Sequence, residues 1–132
     1  MRTLEEVMNE QPTLGINGFD IEPNGERRAA LASKTEEYDH CLLWLGNRVD
    51  PTATVGSRSV SSYGMKHAAE NVDGAGYIPE GVLIAAVIGH DDFPWRRIQG
   101  HRGIRIGATA RSVREAWAVK NEQYPASAVR KS

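Results

Sequence analysis

Apolar residues are most concentrated near the middle of the chain, where residues 82–88 form an uninterrupted apolar run within the segment YIPEGVLIAAVIGH. No side of such a run can face water, so the rest of the chain must cover it. Its β-branched residues suit a strand, and periodicity alone does not separate a strand from a helix at this length. Pro79 and Glu80 are typical of the first turn of a helix, and Gly89 is typical of its end. The flanking residues therefore favour a buried central helix.

The spacing of polar and apolar positions predicts two helices in the first part of the chain. Thr3 and Glu6 have the spacing of a capping box, which predicts a short helix over residues 4–10. Residues 26–49 have apolar side chains at intervals of three and four, which predicts one amphipathic helix that ends before Pro51. The apolar stripe of this helix comprises Ala29, Ala30, Leu31, Tyr38, Cys41, Leu42 and Leu45, with Trp44 beside it.

Two more helices are predicted on either side of the central segment. Residues 59–72 begin with a serine that can cap a helix and continue with helical spacing. Ser112 and Glu115 repeat the spacing of a capping box, which predicts a helix over residues 113–123. Pro125 follows and would stop it.

The segments between the helices are predicted to be loops, with one strand among them. Residues 11–25 and 91–103 read as loops, and residues 73–76 as a flexible stop before the central segment. Residues 103–108 alternate between apolar and polar, which predicts a short strand with its isoleucines inward and Arg105 outward. The apolar residues expected to hold the first loop against the body are Leu14, Ile16, Phe19 and Ile21.

These elements predict a mainly α-helical fold of the α+β class, with a short β element at residues 103–108 beside the buried central helix. A length of 132 residues, 40% of them hydrophobic, fits one domain, expected at residues 1–125 with a mobile tail at 126–132. The single cysteine cannot form a disulfide within the chain. The sequence has neither an apolar leader nor an apolar run of ~18 residues, which predicts a soluble, cytoplasmic protein without a membrane partner.

Charge is divided unevenly along the chain. Residues 1–92 contain 7 lysines and arginines against 15 aspartates and glutamates, whereas residues 93–132 contain 9 against 2. An acidic body with a basic end indicates a polyanion or an acidic protein as the partner of that end. The alternative is that the two parts neutralise each other across the fold.

The basic end interleaves aromatic and cationic side chains. Arginine forks bind phosphate and carboxylate alike, and an aromatic ring can stack on an unpaired base. The alternative is a solvated, salt-bridged face in which Trp95 and Trp117 belong to the core. A helix-turn-helix that uses the central helix is excluded, because that helix is too apolar to lie in a DNA groove. The predicted contact residues for nucleic acid or an acidic host protein are Trp95, Arg96, Arg97, His101, Arg102, Arg105, Arg111 and Arg114.

A second candidate site is the polar cluster of Tyr63, Lys66, His67 and Glu70. Three of these residues share one face of a helix, which could bring a general base and an acid together. The alternative is structural: Tyr63 would pack inward with its hydroxyl satisfied, and His67 would form a hydrogen bond to the central helix. The residues favour this structural interpretation.

No metal or cofactor site is predicted. His67 with His90 and Asp91 could supply ligands for zinc or iron, but their spacing matches no closed motif. The chain has no phosphate-binding loop, dinucleotide fingerprint or hydrolase elbow. Leucines follow Cys41 and suggest burial, so this thiol is not predicted to be a nucleophile.

Several segments between residues 41 and 115 share a pattern with a known family. The segments are CLLWL at 41–45, SYGMKH at 62–67, YIPEGVLIAA at 77–86 and residues 104–112. In them the chain resembles a small family of phage- and plasmid-borne proteins of uncharacterised function, whose pattern is SYG(L/M)KH followed by YIxxGxxIAA. The chain departs from this pattern at Val82, where a more aromatic residue is typical. The resemblance implies an accessory protein of a mobile element and indicates no reaction.

The favoured function is a non-enzymatic accessory protein that contacts nucleic acid or an acidic host-protein surface through its basic end. The alternative is a small enzyme that uses Tyr63, His67 and Glu70. Replacing Arg96 and Arg97 should abolish binding in the first case, whereas replacing His67 should abolish activity in the second. The sequence leaves the identity of the partner and the oligomeric state open.

Overall fold

Helices and short strands alternate along the chain in a small α+β fold dominated by helices, as the sequence predicts. The computed structural model describes residues 1–71 and 76–118. In this part the helices are α1 (Leu4–Glu10), α2 (Gly25–Ala32), α3 (Thr35–Arg48), α4 (Ser62–Glu70), α5 (Glu80–His90) and α6 (Ala110–Ala118). The strands are β1 (Leu14–Gly15), β2 (Gly18–Phe19), β3 (Val60–Ser61), β4 (Trp95–Arg97) and β5 (Ile104–Ile106).

The core is built around α5, which contains the central apolar run. Every residue of α5 from Gly81 to Gly89 is buried, and α1, α3 and α4 pack around the helix. Each fully buried Val, Leu or Ile side chain stabilises the fold by about 1.5–3 kcal/mol relative to an exposed one. That gain exceeds the modest loss of helix propensity at the β-branched positions, which is about half a kcal/mol each. The prediction of a buried central helix is confirmed.

The α1 helix begins as the sequence predicts. Thr3 accepts a hydrogen bond from the backbone of Glu6, and the Glu6 carboxylate accepts one from the backbone of Thr3. The hydrogen bond that the Glu6 carboxylate accepts from the Thr3 backbone is the main reason that the pKa of Glu6 is lowered. The capping box at residues 3–6 is confirmed, together with both ends of the helix.

The single helix predicted over residues 26–49 is wrong, because α2 ends at Ala32 and α3 begins at Thr35. The two helices pack against different partners: α2 lies beside β1, and α3 lies along α5. Arg28 holds α2 in place by donating to the backbone oxygens of Met8, Gln11 and Leu14. One straight helix could not make both sets of contacts, so the chain turns at Ser33 and Lys34.

The buried stripe of α3 differs slightly from the predicted one. Tyr38, Cys41 and Leu45 are buried as expected, whereas Leu42 is only partly buried. Trp44, predicted to lie beside the stripe, is completely buried within it.

The segment predicted as a loop over residues 11–25 contains the antiparallel pair β1–β2. Leu14 and Phe19 are buried and Ile16 packs against the core, so these three residues anchor the segment as expected. Ile21 does not, since it is 99% exposed. It belongs to the turn between β2 and α2, where the chain already leaves the core.

Three strands form the second sheet, in the order β3–β5–β4 with antiparallel pairing throughout. In β5, Ile104 and Ile106 are buried and Arg105 is not, which confirms the predicted strand. The loop predicted for residues 91–103 is wrong in part, because Trp95–Arg97 forms β4. That strand has only three residues and no apolar alternation, so its formation depends on pairing with β5. The helix predicted from residue 59 likewise begins later, at Ser62, after β3.

The start of α6 also differs from the prediction. Thr109 caps the helix by accepting a hydrogen bond from the backbone of Ser112 at 3.2 Å, and the helix begins at Ala110. The Ser112 side chain is buried and accepts a hydrogen bond from the backbone of Asp50 at 3.0 Å. It therefore ties α6 to the end of α3 rather than forming the predicted box with Glu115.

Three other predictions fall outside the described residues: the flexible stop at 73–75, the end of the last helix near residue 123, and the mobile tail at 126–132. Within the described ranges, no helix has the length and apolar character needed to cross a membrane.

Candidate functional site

The strands β4 and β5 form a hairpin, residues 95–106, that carries most of the predicted basic contact residues; we call it the cationic hairpin. Arg96 and Arg105 lie directly opposite each other in the ladder, so their side chains share the outer face of the sheet. The isoleucines of β5 are buried on the inner face. Like charges directly opposite each other in a sheet are destabilising, so the Arg96–Arg105 pair lowers the stability of the sheet.

Arg97 lies on the other face of the hairpin, where it meets an aromatic pair. Its guanidinium carbon is 4.0 Å from the centre of the Phe19 ring, and Phe19 stacks on Trp95 with 6.2 Å between ring centres. Trp95 is partly buried and packs against the core. Of the predicted contact residues, Trp95 is therefore the one that anchors the hairpin to the body.

The turn of the hairpin is fastened to β2. The backbone N–H of Phe19 donates to the oxygen of Arg102 at 2.9 Å. Gly18, at φ +111°, permits this approach, because a Cβ there would lie 2.4 Å from the same oxygen. The side chains of His101 and Arg102 are exposed. The turn thus holds two basic groups on a fixed backbone.

Carboxylates do not neutralise the cationic hairpin within the described part of the chain. No acidic group there lies within ion-pair distance of Arg96, Arg97 or Arg102, and none pairs with Arg105, which donates to the Ser59 backbone at 3.0 Å. The salt-bridged alternative therefore does not describe the hairpin. It describes α6 better, where Arg111 pairs with Glu115 at 3.2 Å. Arg114 is exposed on the same helix.

Two cavities flank the turn of the hairpin. The larger, about 630 Å³, is bounded by residues 19–24 and Arg27 on one side and by Arg97, His101 and Arg102 on the other. At its edge the buried Asp20 accepts from Arg27 at 3.0 Å, so the two charges compensate each other. The remaining charged groups around this cavity are the hairpin arginines and Glu22.

The smaller cavity, about 250 Å³, lies where the sheet meets the first turns of α4 and α5. At its base the buried Ser62 hydroxyl donates to Glu80 at 2.7 Å and accepts from the Ile104 backbone at 3.0 Å. Gly103 leaves room for this network, since a Cβ there would come within 2.8 Å of both oxygens. The cavity wall carries Tyr63, His101, Arg102 and Arg105.

The polar cluster on α4 comes together, but not in the way predicted. Glu70 binds His67 at 3.1 Å through one oxygen, and Lys66 at 3.1 Å and the Ile78 backbone at 2.8 Å through the other. Lys66 is buried in this network. Glu70, not His67, makes the link toward the central helix, because it holds the residue that leads into α5. The predicted inward position of Tyr63 is wrong, since that side chain is 60% exposed.

Four side chains near this cluster form a surface that we call the aromatic patch: Tyr63, His67, Tyr77 and Trp117. Tyr63 contacts the His67 ring edge-on at 4.6 Å between ring centres, and Trp117 lies 6.2 Å from His67. The Lys66 amine lies 4.6 Å from the centre of the Tyr77 ring. Trp117 is 47% exposed, so the alternative that assigned it to the core is wrong. No local signal predicts this patch, because its members come from three separate segments.

The other candidate chemistries have less support. Among the described residues there is no group of three His, Cys, Asp or Glu side chains that could hold a metal ion. Of the residues considered as ligands, His67 bonds to Glu70, and His90 lies 3.5 Å from Asp92. Cys41 is completely buried, and this burial raises the pKa of its thiol, which disfavours the reactive thiolate.

Two arginines outside the basic end belong to segments that adjoin this region. Arg58 is exposed one residue before Ser59, whose oxygen binds Arg105, and Arg27 borders the larger cavity. Sequence reasoning missed both, because the pairing of β3 with β5 and the contact of β2 with the hairpin turn join segments that are far apart in the chain.

No protein-family model, curated protein or solved structure matches the chain. The resemblance to phage- and plasmid-borne proteins stays a prediction. Two residues of its pattern have structural roles in this fold: Ser62 joins α4 to β5 and to the start of α5, and Gly81 permits the close packing of β1 on α5.

Proposed function

We propose that the protein is a non-enzymatic accessory protein of a mobile element that binds nucleic acid through the cationic hairpin. The observation that carries the proposal is the set of four arginines on this hairpin without a carboxylate partner among the described residues. Guanidinium groups match the geometry of phosphate oxygens and remain charged at any physiological pH. The resemblance to mobile-element proteins and the use of only one cysteine fit a cytoplasmic site of action.

The arrangement of the arginines supports a binding role over a purely solvating one. Arg96 and Arg105 face each other although like charges in this position are unfavourable. A phosphate between them would turn the repulsion into two favourable contacts. Because the backbone bonds of Arg102 and Ile98 fix the turn, little conformational entropy would be lost on binding.

The overall charge distribution points in the same direction. The ion pairs seen between described residues join partners within residues 1–92, apart from the Arg111–Glu115 pair inside α6. None of these pairs joins the acidic body to the cationic hairpin. A polyanion would be steered to the hairpin by its uncompensated charge.

The alternative of a small enzyme built on Tyr63, His67 and Glu70 has less support. His67 and Glu70 do form a hydrogen-bonded pair, which could orient an imidazole as a base. The second oxygen of Glu70, however, holds both Lys66 and the Ile78 backbone, which is a structural task. The hairpin and this pair can be tested separately.

The proposal is tested by comparing two double variants that remove the same charge. Arg96→Gln with Arg102→Gln changes two exposed arginines of the cationic hairpin, whereas Arg111→Gln with Arg114→Gln changes two exposed arginines of α6. Binding to labelled DNA and RNA of about 20 nucleotides is followed by fluorescence anisotropy. The hairpin variant should lose affinity, and the magnitude of its salt slope should fall by about 1.4–1.8, which corresponds to two lost phosphate contacts. The α6 variant should change much less.

Equal losses in the two variants would mean that net charge alone governs binding, which would contradict a role for the hairpin. Absence of any binding by the wild-type protein at low salt would overturn the nucleic-acid proposal. The hairpin would then be a candidate contact for an acidic protein surface, which a pull-down with the same two variants would test.

A further inference from the structure

The three most exposed aromatic residues of the described chain lie together, next to the cationic hairpin. Tyr63, Tyr77 and Trp117 are 60%, 71% and 47% exposed, whereas the other described aromatic side chains are buried or partly buried. Large aromatic side chains grouped on a surface are typical of interaction sites, because their exposure to water is unfavourable. The exposure of the aromatic patch therefore indicates that a partner binds there.

The rings of the patch are held in place from below. Glu70 fixes His67 at 3.1 Å, and His67 in turn contacts the Tyr63 ring and lies near Trp117. Asn71 donates to the backbone oxygen of Trp117 at 3.1 Å and so joins α4 to α6. The amine of the buried Lys66 lies 4.6 Å from the centre of the Tyr77 ring and supports it. Rings fixed in this way lose little entropy when a flat partner stacks on them.

Tyr63 joins the patch to the hairpin. Tyr63 lines the smaller cavity, and Arg102 and Arg105 line the same cavity. A basic groove that tracks a phosphate backbone beside open aromatic rings is the arrangement with which proteins bind single strands. Bases in a duplex are stacked on each other, so their faces are not accessible to such rings.

Resting on the function proposed above, we infer that the partner is a single-stranded nucleic acid. Its phosphates lie against Arg102 and Arg105, and its unpaired bases stack on Tyr63 and Trp117. Charge complementarity favours this occupant, because the cavity that Tyr63 lines also carries Arg102 and Arg105, whereas its one carboxylate, that of Glu80, accepts a hydrogen bond from Ser62. Tyr77 extends the same platform beyond Lys66.

The test measures the affinity of a single strand of about 20 nucleotides and of the same strand annealed to its complement. Each ring is replaced in a matched pair of variants: Tyr63→Leu and Tyr63→Phe, and Trp117→Leu and Trp117→Tyr. Each leucine variant should lose about 5- to 150-fold in single-strand affinity, the range for one stacked base, while its aromatic counterpart keeps most of the affinity. Circular dichroism confirms that each variant is folded. Binding of the single strand should also quench tryptophan fluorescence in the wild type and much less in Trp117→Tyr.

The outcomes separate this inference from the proposed function. Equal affinity for single strand and duplex, with leucine variants that bind like the wild type and a hairpin variant that does not, would overturn the inference and leave the nucleic-acid function intact. Loss of single-strand and duplex binding to the same extent in the leucine variants would also overturn it, because stacking on unpaired bases would not be the cause. No binding of either form would overturn both, and the patch would then be a candidate protein contact.

Discussion

Inside this fold, a glycine can leave space for a buried polar group, which then forms a hydrogen bond to the backbone. Tyr38 is an example: its hydroxyl donates to the backbone oxygen of Arg2 inside the protein. It fits only because position 89 is glycine, where a Cβ would lie 2.1 Å from that hydroxyl. The N-terminal segment is thereby fixed to α3 and α5. Burial raises the pKa of Tyr38 to about 12.

This pKa makes stability depend on alkaline pH. In the unfolded chain a tyrosine has a pKa of about 10, so between pH ~10 and pH ~12 the unfolded state releases a proton that folded Tyr38 retains. The free energy of unfolding should therefore fall as the pH rises through this window. Urea unfolding at several pH values would measure it.

Tyr38→Phe is the control for this effect. It should be less stable at neutral pH by about 1 kcal/mol, because the hydrogen bond to Arg2 is lost. Its stability should decline less steeply in the alkaline window. If the wild type and the variant decline in parallel, Tyr38 is not the group responsible.

At the scale of the elements, close approach between the β1–β2 segment and α5 determines how the two parts of the fold meet. The N–H of Gly81 donates to the Ile16 oxygen at 3.0 Å, and a Cβ at Gly81 would lie 1.9 Å from the Gly15 oxygen. The obstacle is backbone, which cannot move aside as a side chain can. The segment that carries Phe19, and with it the hairpin turn, depends on this contact.

Gly81→Ala should therefore destabilise the protein by about 1–3 kcal/mol or more, as overpacking does. Gly25→Ala is the matched control, because nothing lies within 4 Å of a Cβ there and the residue is at the start of α2. It should be neutral or stabilising by up to about 1 kcal/mol. Thermal and urea unfolding of both variants measure the difference; similar values for the two would contradict the close approach.

The arginines of the cationic hairpin can be compared for a structural role and for the proposed binding role. β4 is at the edge of its sheet, where charged side chains discourage pairing with a second chain. This role can account for Arg96 and Arg97. It does not account for Arg105, which lies on the central strand opposite Arg96. One N–H of Arg105 donates to the Ser59 backbone, but its unfavourable position opposite Arg96 is the better indication of the proposed anion-binding surface.

Local signals in the sequence predicted those elements whose formation depends on their own residues. The capping box at Thr3 and the apolar run of α5 are of this kind. The break between α2 and α3, the cap at Thr109 and strand β4 depend on partners far away in the chain, and pattern alone does not contain them. The site follows the same rule, since the arginine cluster was visible as a local charge excess but the aromatic patch was not.

At the scale of the whole molecule, an acidic body carries a basic surface on one hairpin. Residues 93–118 contain six arginines and one glutamate, and that glutamate pairs with Arg111. Such a division produces a field that attracts a polyanion to one side and repels it elsewhere, so binding should have a defined orientation. The net charge of −1 makes non-specific adhesion of a polyanion to the whole surface unfavourable.

The salt dependence of nucleic-acid binding by the wild-type protein tests most directly the proposal that the cationic hairpin binds phosphates. With phosphate contacts to the four hairpin arginines, a plot of log K against log salt concentration should have a slope of about −2.8 for a single strand. Measurements between about 50 and 200 mM salt with a labelled single strand would determine it. No binding at low salt, or binding whose affinity does not change with salt, would contradict a phosphate-binding role for the cationic hairpin.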